Sequence, residues 1–294
     1  MIAIFKREVK AYFTTPIGCI YMGLFLLITG FFFYSGNILG RSSYFSYFLG
    51  SIQIVYLFAV PLLTMRLFSE EKRQRTDQLL LTSPVSIPQI VCGKFLAALA
   101  IYSLTLVVTL LYAIVVAIYG DLQVWETLGS YIGFLFLGAS YIAIGVFVSA
   151  STENQLTAAL VTFFALLVIM LIDPIAQMVP SDAFAGFISS GVLALVVVLF
   201  LFLTTRNWFI VLVTTVIAAA VILFMYFYVS GYYYSFRHLF SGFLQKFLGW
   251  FSLNARYEQF PMGLLKFDAL LYYFTFSGLF LFLTVRLIEK RRWN

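Results

Sequence analysis

Apolar runs of roughly 20 residues recur along almost the whole chain, and about 20 helical residues are what a bilayer core requires. That repetition leaves one fold class, an all-α polytopic membrane bundle. Composition agrees. A soluble domain is about half apolar and about a quarter charged. Here 63% of residues are hydrophobic, 10% are charged, and 34 of 294 are Phe.

Candidate spans fall at 17–35, 47–65, 93–119, 128–150, 156–179, 187–205, 208–229 and 269–286. That makes about eight, or six if 187–205 and 208–229 lie in the membrane plane. Either number is even, so both termini share a side. With the N-terminus cytoplasmic, the inner segments collect Lys6, Arg7, Lys10, Arg66, Lys72, Arg73, Arg75, Lys94, Arg206, Arg286, Lys290, Arg291 and Arg292. The outer ones hold Arg41, Arg237, Lys246, Arg256 and Lys266. Lysine and arginine favour cytoplasmic loops, so thirteen against five puts both termini inside. The net charge of +6 is explained the same way, and nucleic acid is not an expected partner.

The opening residues 1–15 are too charged to span. Ile2, Phe5, Val9, Tyr12 and Phe13 recur at helical spacing with Lys6, Arg7 and Lys10 off the stripe. This predicts an interfacial helix with its apolar face toward the acyl chains, broken before the first span by Pro16. No small-residue cleavage site follows it, and a removable signal is not expected. At the other face, 230–267 is an outer amphipathic segment. Phe236, Phe240, Phe243, Phe247 and Phe251 alternate there with Arg237, His238, Ser241, Gln245 and Lys246.

Charge is concentrated in one place, 66-RLFSEEKRQRTDQLLLTSPVS-86, where seven charged residues occupy the first twelve positions. Ser69 is expected to cap a short helix with Glu70 and Glu71 in its first turn, where the helix dipole favours acids. Glu71 and Arg75 have the spacing of a surface pair. Pro84 stops that helix. A second start follows at Ser86, with Gln89 at capping-box spacing and Pro88 tolerated in the first turn. From Ile87 the helix runs unbroken to Tyr119, roughly 50 Å at about 1.5 Å per residue, well beyond a hydrocarbon core of about 30 Å. The third span therefore begins inside the cytoplasm. Leu79, Leu80 and Leu81 are apolar bulk in a charged loop. They either tuck under the bundle or fill a groove on a cytoplasmic partner, with the charges around the rim.

The pattern from Pro61 to Ser86, P-L-L-T-M-R-L-F-x-E-E-K-R-x-x-T-x-x-L-L-L-T-S-P-V-S, resembles permease subunits of type-2 ABC exporters. The nearest group is the gliding-motility-associated permeases. The opening 5-FKREVKAYFTTPIG-18 and the ending 272-YYFTFSGLFLFLTVRLIEKRRW-293 resemble the family's elbow helix and its last span with basic tail. The resemblance implies one transmembrane permease domain over 1–294, with an elbow at 1–15 and a coupling segment at 66–92. It implies a multi-pass protein of the bacterial plasma (inner) membrane. Its partners would be a dimer of ABC ATPase subunits and a second permease copy or paralogue. No cofactor belongs to this chain; ATP and Mg would sit on the ATPase. The ATPase contact maps onto Glu70, Glu71, Arg75, Thr76, Leu79, Leu80, Leu81, Thr82, Ser83 and Pro84. Two departures stand out. Related sequences carry glycine where Arg75 stands, which predicts a helical turn here. Members have six spans, whereas 187–229 adds two.

Catalysis in this chain is not expected. No G-x-x-x-x-G-K-[ST] phosphate loop occurs, and the two cysteines, Cys19 and Cys92, read as buried reduced thiols. Asp173, before Pro174, reads as the end of a helix rather than a proton site. Glu153 and Asn154 read as loop, and Asp268 as the cap of the last helix. Spacing forces no two of these together. A third reading keeps the architecture but removes the cargo: a membrane scaffold for an ATP-driven mechanical or assembly complex.

Overall fold

The computed structural model describes residues 1–42, 44–76, 85–178, 215, 216, 220 and 242–293. Every regular element among these residues is helical, so the chain is an all-α bundle. Among the described residues, six helical stretches are long and apolar enough to cross a membrane: Pro16–Leu39, Phe45–Arg73, Ile87–Tyr119, Val124–Ser151, Gln155–Met178 and Phe267–Lys290. The expected spans 187–205 and 208–229, with His238 and the rest of 230–241, lie outside the described residues.

Two compact units are distinguished by their internal contacts, one comprising Met1–Ile169 with Leu253–Asn294, the other Met170–Ser252. The first opens with α1 (Ile2–Thr14) and α2 (Pro16–Phe33), the latter continued by a π-helical turn, Tyr34–Leu39. Pro16 starts α2 at a position whose N–H would have no helical partner in any case. The second span is assembled from short turns and α3 (Tyr56–Thr64), followed by the five-residue α4 (Ser69–Arg73). The third is α5 (Ile87–Val108) and α6 (Leu110–Tyr119). It was expected to be unbroken, but Thr109 interrupts it. The Thr109 hydroxyl bonds back to the Leu106 carbonyl at 2.6 Å and meets the Tyr131 hydroxyl at 3.1 Å, a back-bond that loosens the helical ladder.

The core belongs to α7 (Val124–Ser151), which packs against α3, α5 and the last helix, α10 (Phe267–Trp293). Its inward face sets glycines among large buried side chains such as Phe134 and Tyr141. A methyl at Gly138 would fall 2.5 Å from the Tyr102 ring, so only glycine lets α5 approach this closely. Around that contact the Tyr56 and Tyr102 hydroxyls lie 2.8 Å apart, and each is 2.8 Å from the Phe134 carbonyl. Buried polar groups must find partners, and these tyrosines supply them to one another. Outside, Leu27, Phe31, Val168 and Phe274 are left exposed, as a surface facing lipid rather than water would be.

Several local expectations need correction. Α helix α8 (Gln155–Met178) runs through Pro174 and does not end at Asp173. In the second unit the Asp173 carboxylate accepts the Ser252 hydroxyl at 2.6 Å. Proline inside a membrane helix is tolerated where side chains and neighbours satisfy the freed backbone. Asp268 lies within the first turn of α10 instead of capping it. Cys92 is half-buried, but Cys19 is exposed on the outside of α2; both are free thiols. Of the outer amphipathic segment, α9 (Phe243–Phe251) is described and forms a helix, with Phe247 and Phe251 in edge contact.

Candidate functional site

The start of the first span, the end of the second, the start of the third and the end of the fourth meet at one end of the bundle. There the chain collects its buried charges. Lys94, one turn into α5 beyond Ile90, is 1% exposed. Its ammonium reaches Glu8 Oε1 at 3.1 Å and Glu71 Oε1 at 2.9 Å, and donates to the Leu67 carbonyl. Arg7 closes the ring from outside, with Nη2 at 2.7 Å from Glu8 and 2.6 Å from Glu71. The Lys94 ammonium also lies 5.0 Å from the Phe68 ring centroid, a favourable cation–π distance.

A lysine this buried is stable only if paired and hydrogen-bonded. Two carboxylates and a carbonyl use its three donors. Burial alone would raise the Glu8 carboxyl. Lys94 and Arg7 outweigh that and hold it below the ordinary glutamate range. Burial likewise lowers Arg7, but its bonds to Glu8 and Glu71 leave it raised.

Around this ring the segment after the second span is held on three sides. From α1 and its cap, Tyr12 donates to the Leu63 carbonyl at 2.5 Å, and Thr15 accepts Arg66 Nη1 at 2.6 Å. From α7, Ser149 accepts the Phe68 and Ser69 amides at 3.1 and 3.4 Å, while Lys72 donates to the Ala150 carbonyl. Arg66 also stacks over Tyr12 and pairs with Glu70 at 3.6 Å.

These bonds revise the expected details of the charged segment. Ser69 does not cap α4; its hydroxyl turns back to the Met65 carbonyl, and Phe68 is the cap residue. Glu71 does not pair with Arg75, because it faces inward to Lys94 and Arg7. Arg75 is not helical either. At φ 56 it adopts the left-handed conformation. The Thr76 amide bonds the Glu71 carbonyl at 2.9 Å and the Arg75 amide bonds that of Lys72 at 3.0 Å. This is the Schellman ending, which ordinarily places glycine where Arg75 stands. Ser86 does precede α5 with an extended backbone, though its side chain makes no capping bond.

Of the expected contact residues, the structure brings Glu70 and Glu71 to the clamp and leaves Arg75 and Thr76 exposed beyond it. Leu79, Leu80, Leu81, Thr82, Ser83 and Pro84 lie outside the described residues. Glu8, Ser149 and Lys94's bridging role have no counterpart in the sequence reading. The apolar stripe Ile2, Phe5, Val9, Tyr12 and Phe13, expected to face the acyl chains, gives no sign of the line of α1 that packs inward. The inward line is Ile4, Glu8 and Tyr12, with Ile2 and Phe13 exposed. A lysine in an apolar span was the available signal, since such residues require a partner.

Residues 35–182, which include α4 and Lys94, match a family described as ABC-2 family transporter protein. Comparison with curated proteins gives no match.

Proposed function

Since the chain belongs to the ABC-2 transporter family and is a permease subunit that works with an ABC ATPase, we propose that it couples ATP hydrolysis on that separate ATPase to export of a substrate across the bacterial plasma membrane. The coupling segment is 66–92, on the cytoplasmic side with both termini. Two permeases, copies or paralogues, would pair with an ATPase dimer that carries ATP and Mg. The Pro61–Ser86 pattern favours the gliding-motility-associated group.

The observation that carries the reading is the Lys94 bridge between Glu8 and Glu71. It fastens the segment leaving the second span to the N-terminal helix and the third span at once. A displacement of the loop beyond Thr76 cannot then be absorbed locally. Closure of the ATPase dimer would draw the two 66–92 segments together, and α5 and α6 would carry the motion toward the opposite face. Arg75 and Thr76 are exposed at the near edge of the docking surface, and Leu79 to Pro84 complete it.

The test is Leu80→Asp in the complex reconstituted with its ATPase. The variant should insert normally, and stimulated ATP hydrolysis should fall about tenfold or more, as loss of a central apolar anchor costs at least about 1.4–2 kcal/mol. Unchanged stimulation would remove the leucines from the contact.

A further inference from the structure

At the opposite end of the bundle from the charge cluster, the first and third spans diverge. Between their ends lies a cavity of about 460 Å³, lined chiefly by Phe33, Asn37, Ile38, Arg41, Val115 and Tyr119. That size is within the range of about 300–1,000 Å³ typical of small-molecule sites. Its walls are apolar apart from Asn37, Ser42 and the Arg41 side chain.

The arginine is fixed by an unusual backbone. The first span ends in the π-helical turn Tyr34–Leu39, and Arg41 follows at φ 48, in the left-handed region. Asn37 clamps the loop at both levels: its Nδ2 donates to the Ser42 carbonyl at 3.0 Å, and its carbonyl accepts the Ser42 amide at 3.1 Å. A non-glycine residue held at positive φ is strained and persists only where its surroundings enforce it. What this loop does is hold a guanidinium over the cavity. Among the described residues no carboxylate pairs with Arg41.

Depth identifies the occupant. Ile38, Leu39 and Ile118 are exposed on the outside of the two spans, and Tyr119 ends the third. Apolar surface giving way to tyrosine marks the boundary between acyl chains and headgroups. An unpaired arginine at that boundary, lining a mainly apolar cavity, matches a molecule with a phosphate at one end and a hydrocarbon chain below it. We propose that the cavity is a binding site for an anionic phospholipid of the surrounding bilayer. Its phosphate pairs with the Arg41 guanidinium, and one acyl chain lies against Phe33, Ile38 and Val115. Preference for a net anionic headgroup follows from the unpaired cation, since in a zwitterionic lipid the choline charge offsets the same phosphate, and the cavity provides retention.

The test is native mass spectrometry of the purified full chain, titrated with dioleoyl-phosphatidylglycerol and, separately, with dioleoyl-phosphatidylcholine. The wild type should retain one phosphatidylglycerol at concentrations where phosphatidylcholine is stripped. Arg41→Gln should weaken phosphatidylglycerol retention about tenfold, as expected for one charge-assisted contact, and bring the two lipids level. Val115→Trp, which fills the cavity without touching the charge, should displace both. Two results would overturn the proposal: equal retention of phosphatidylglycerol by wild type and both variants, or its displacement by millimolar inorganic phosphate, which would mark a site for free anions instead.

Discussion

Lys94 is the residue on which the bundle's charged end depends. Its ammonium is out of contact with solvent and holds two carboxylates from distant parts of the chain. Removing the cation leaves Glu8 and Glu71 buried side by side, with only the half-exposed Arg7 between them. Breaking a buried pair in this way typically costs about 3–5 kcal/mol. Lys94→Met should therefore lower the thermal midpoint in detergent far more than Glu8→Gln, which leaves the Lys94–Glu71 pair intact. The pH dependence has a definite sign. Glu8 titrates below its ordinary value in the folded protein, so its stabilising contribution is present above the ordinary glutamate range. It is lost as pH falls through that range, near pH 4.3, toward the lower folded value. Thermal unfolding followed from neutral pH down to about pH 3 should show a fall in stability for the wild type, concentrated below the ordinary glutamate range, that is shallower in Glu8→Gln. Neither carboxylate's role was legible in the sequence. Hydrophobic periodicity finds apolar faces, and the buried line of α1 is buried because a lysine waits for Glu8, which no apolar pattern records.

At the level of elements, chain chemistry was a better guide. Apolar length located the six described spans to within a few residues at most of their ends, because bilayer thickness imposes that length directly. What it could not locate were the interruptions. Thr109 breaks the third helix through a hydroxyl that also meets Tyr131, and that tertiary partner cannot be read from the local sequence. Arg75 ends α4 in a conformation normally given to glycine, and an arginine at that position carries no local signal of such a turn. Packing of α7 depends on the glycines of its inner face. Gly138→Ala would drive a methyl into the Tyr102 ring and disturb the hydroxyl contacts around the Phe134 carbonyl. Overpacking of this kind costs about 1–3 kcal/mol. The expected result is a lower thermal midpoint with the protein still inserted, and Tyr102→Phe should give no rescue, because the ring carbons nearest the new methyl remain.

For the whole molecule, the helices, the clamp and the family membership describe a permease whose second and third spans are joined by a charged segment bound tightly at its first turn. Up to Lys72 that segment is tied to α1, α5 and α7. Beyond it, Arg75 and Thr76 are exposed. A rigid root with a free rim suits a surface that receives force from another protein and passes it to the helices. Residue types suggested such a surface, because leucines and charges together have little reason to share a solvated loop. They did not reveal how it is anchored, since the anchors come from positions 8, 94 and 149. The most direct measurement places a photo-activated cross-linking residue at Thr76 in cells that make the complete transporter. The account predicts a covalent adduct with a subunit that carries an ATP-binding phosphate loop, stronger when ATP traps the closed state. Labelling of residue 76 by a membrane-impermeant reagent applied from outside the cell, with no such adduct, would contradict it.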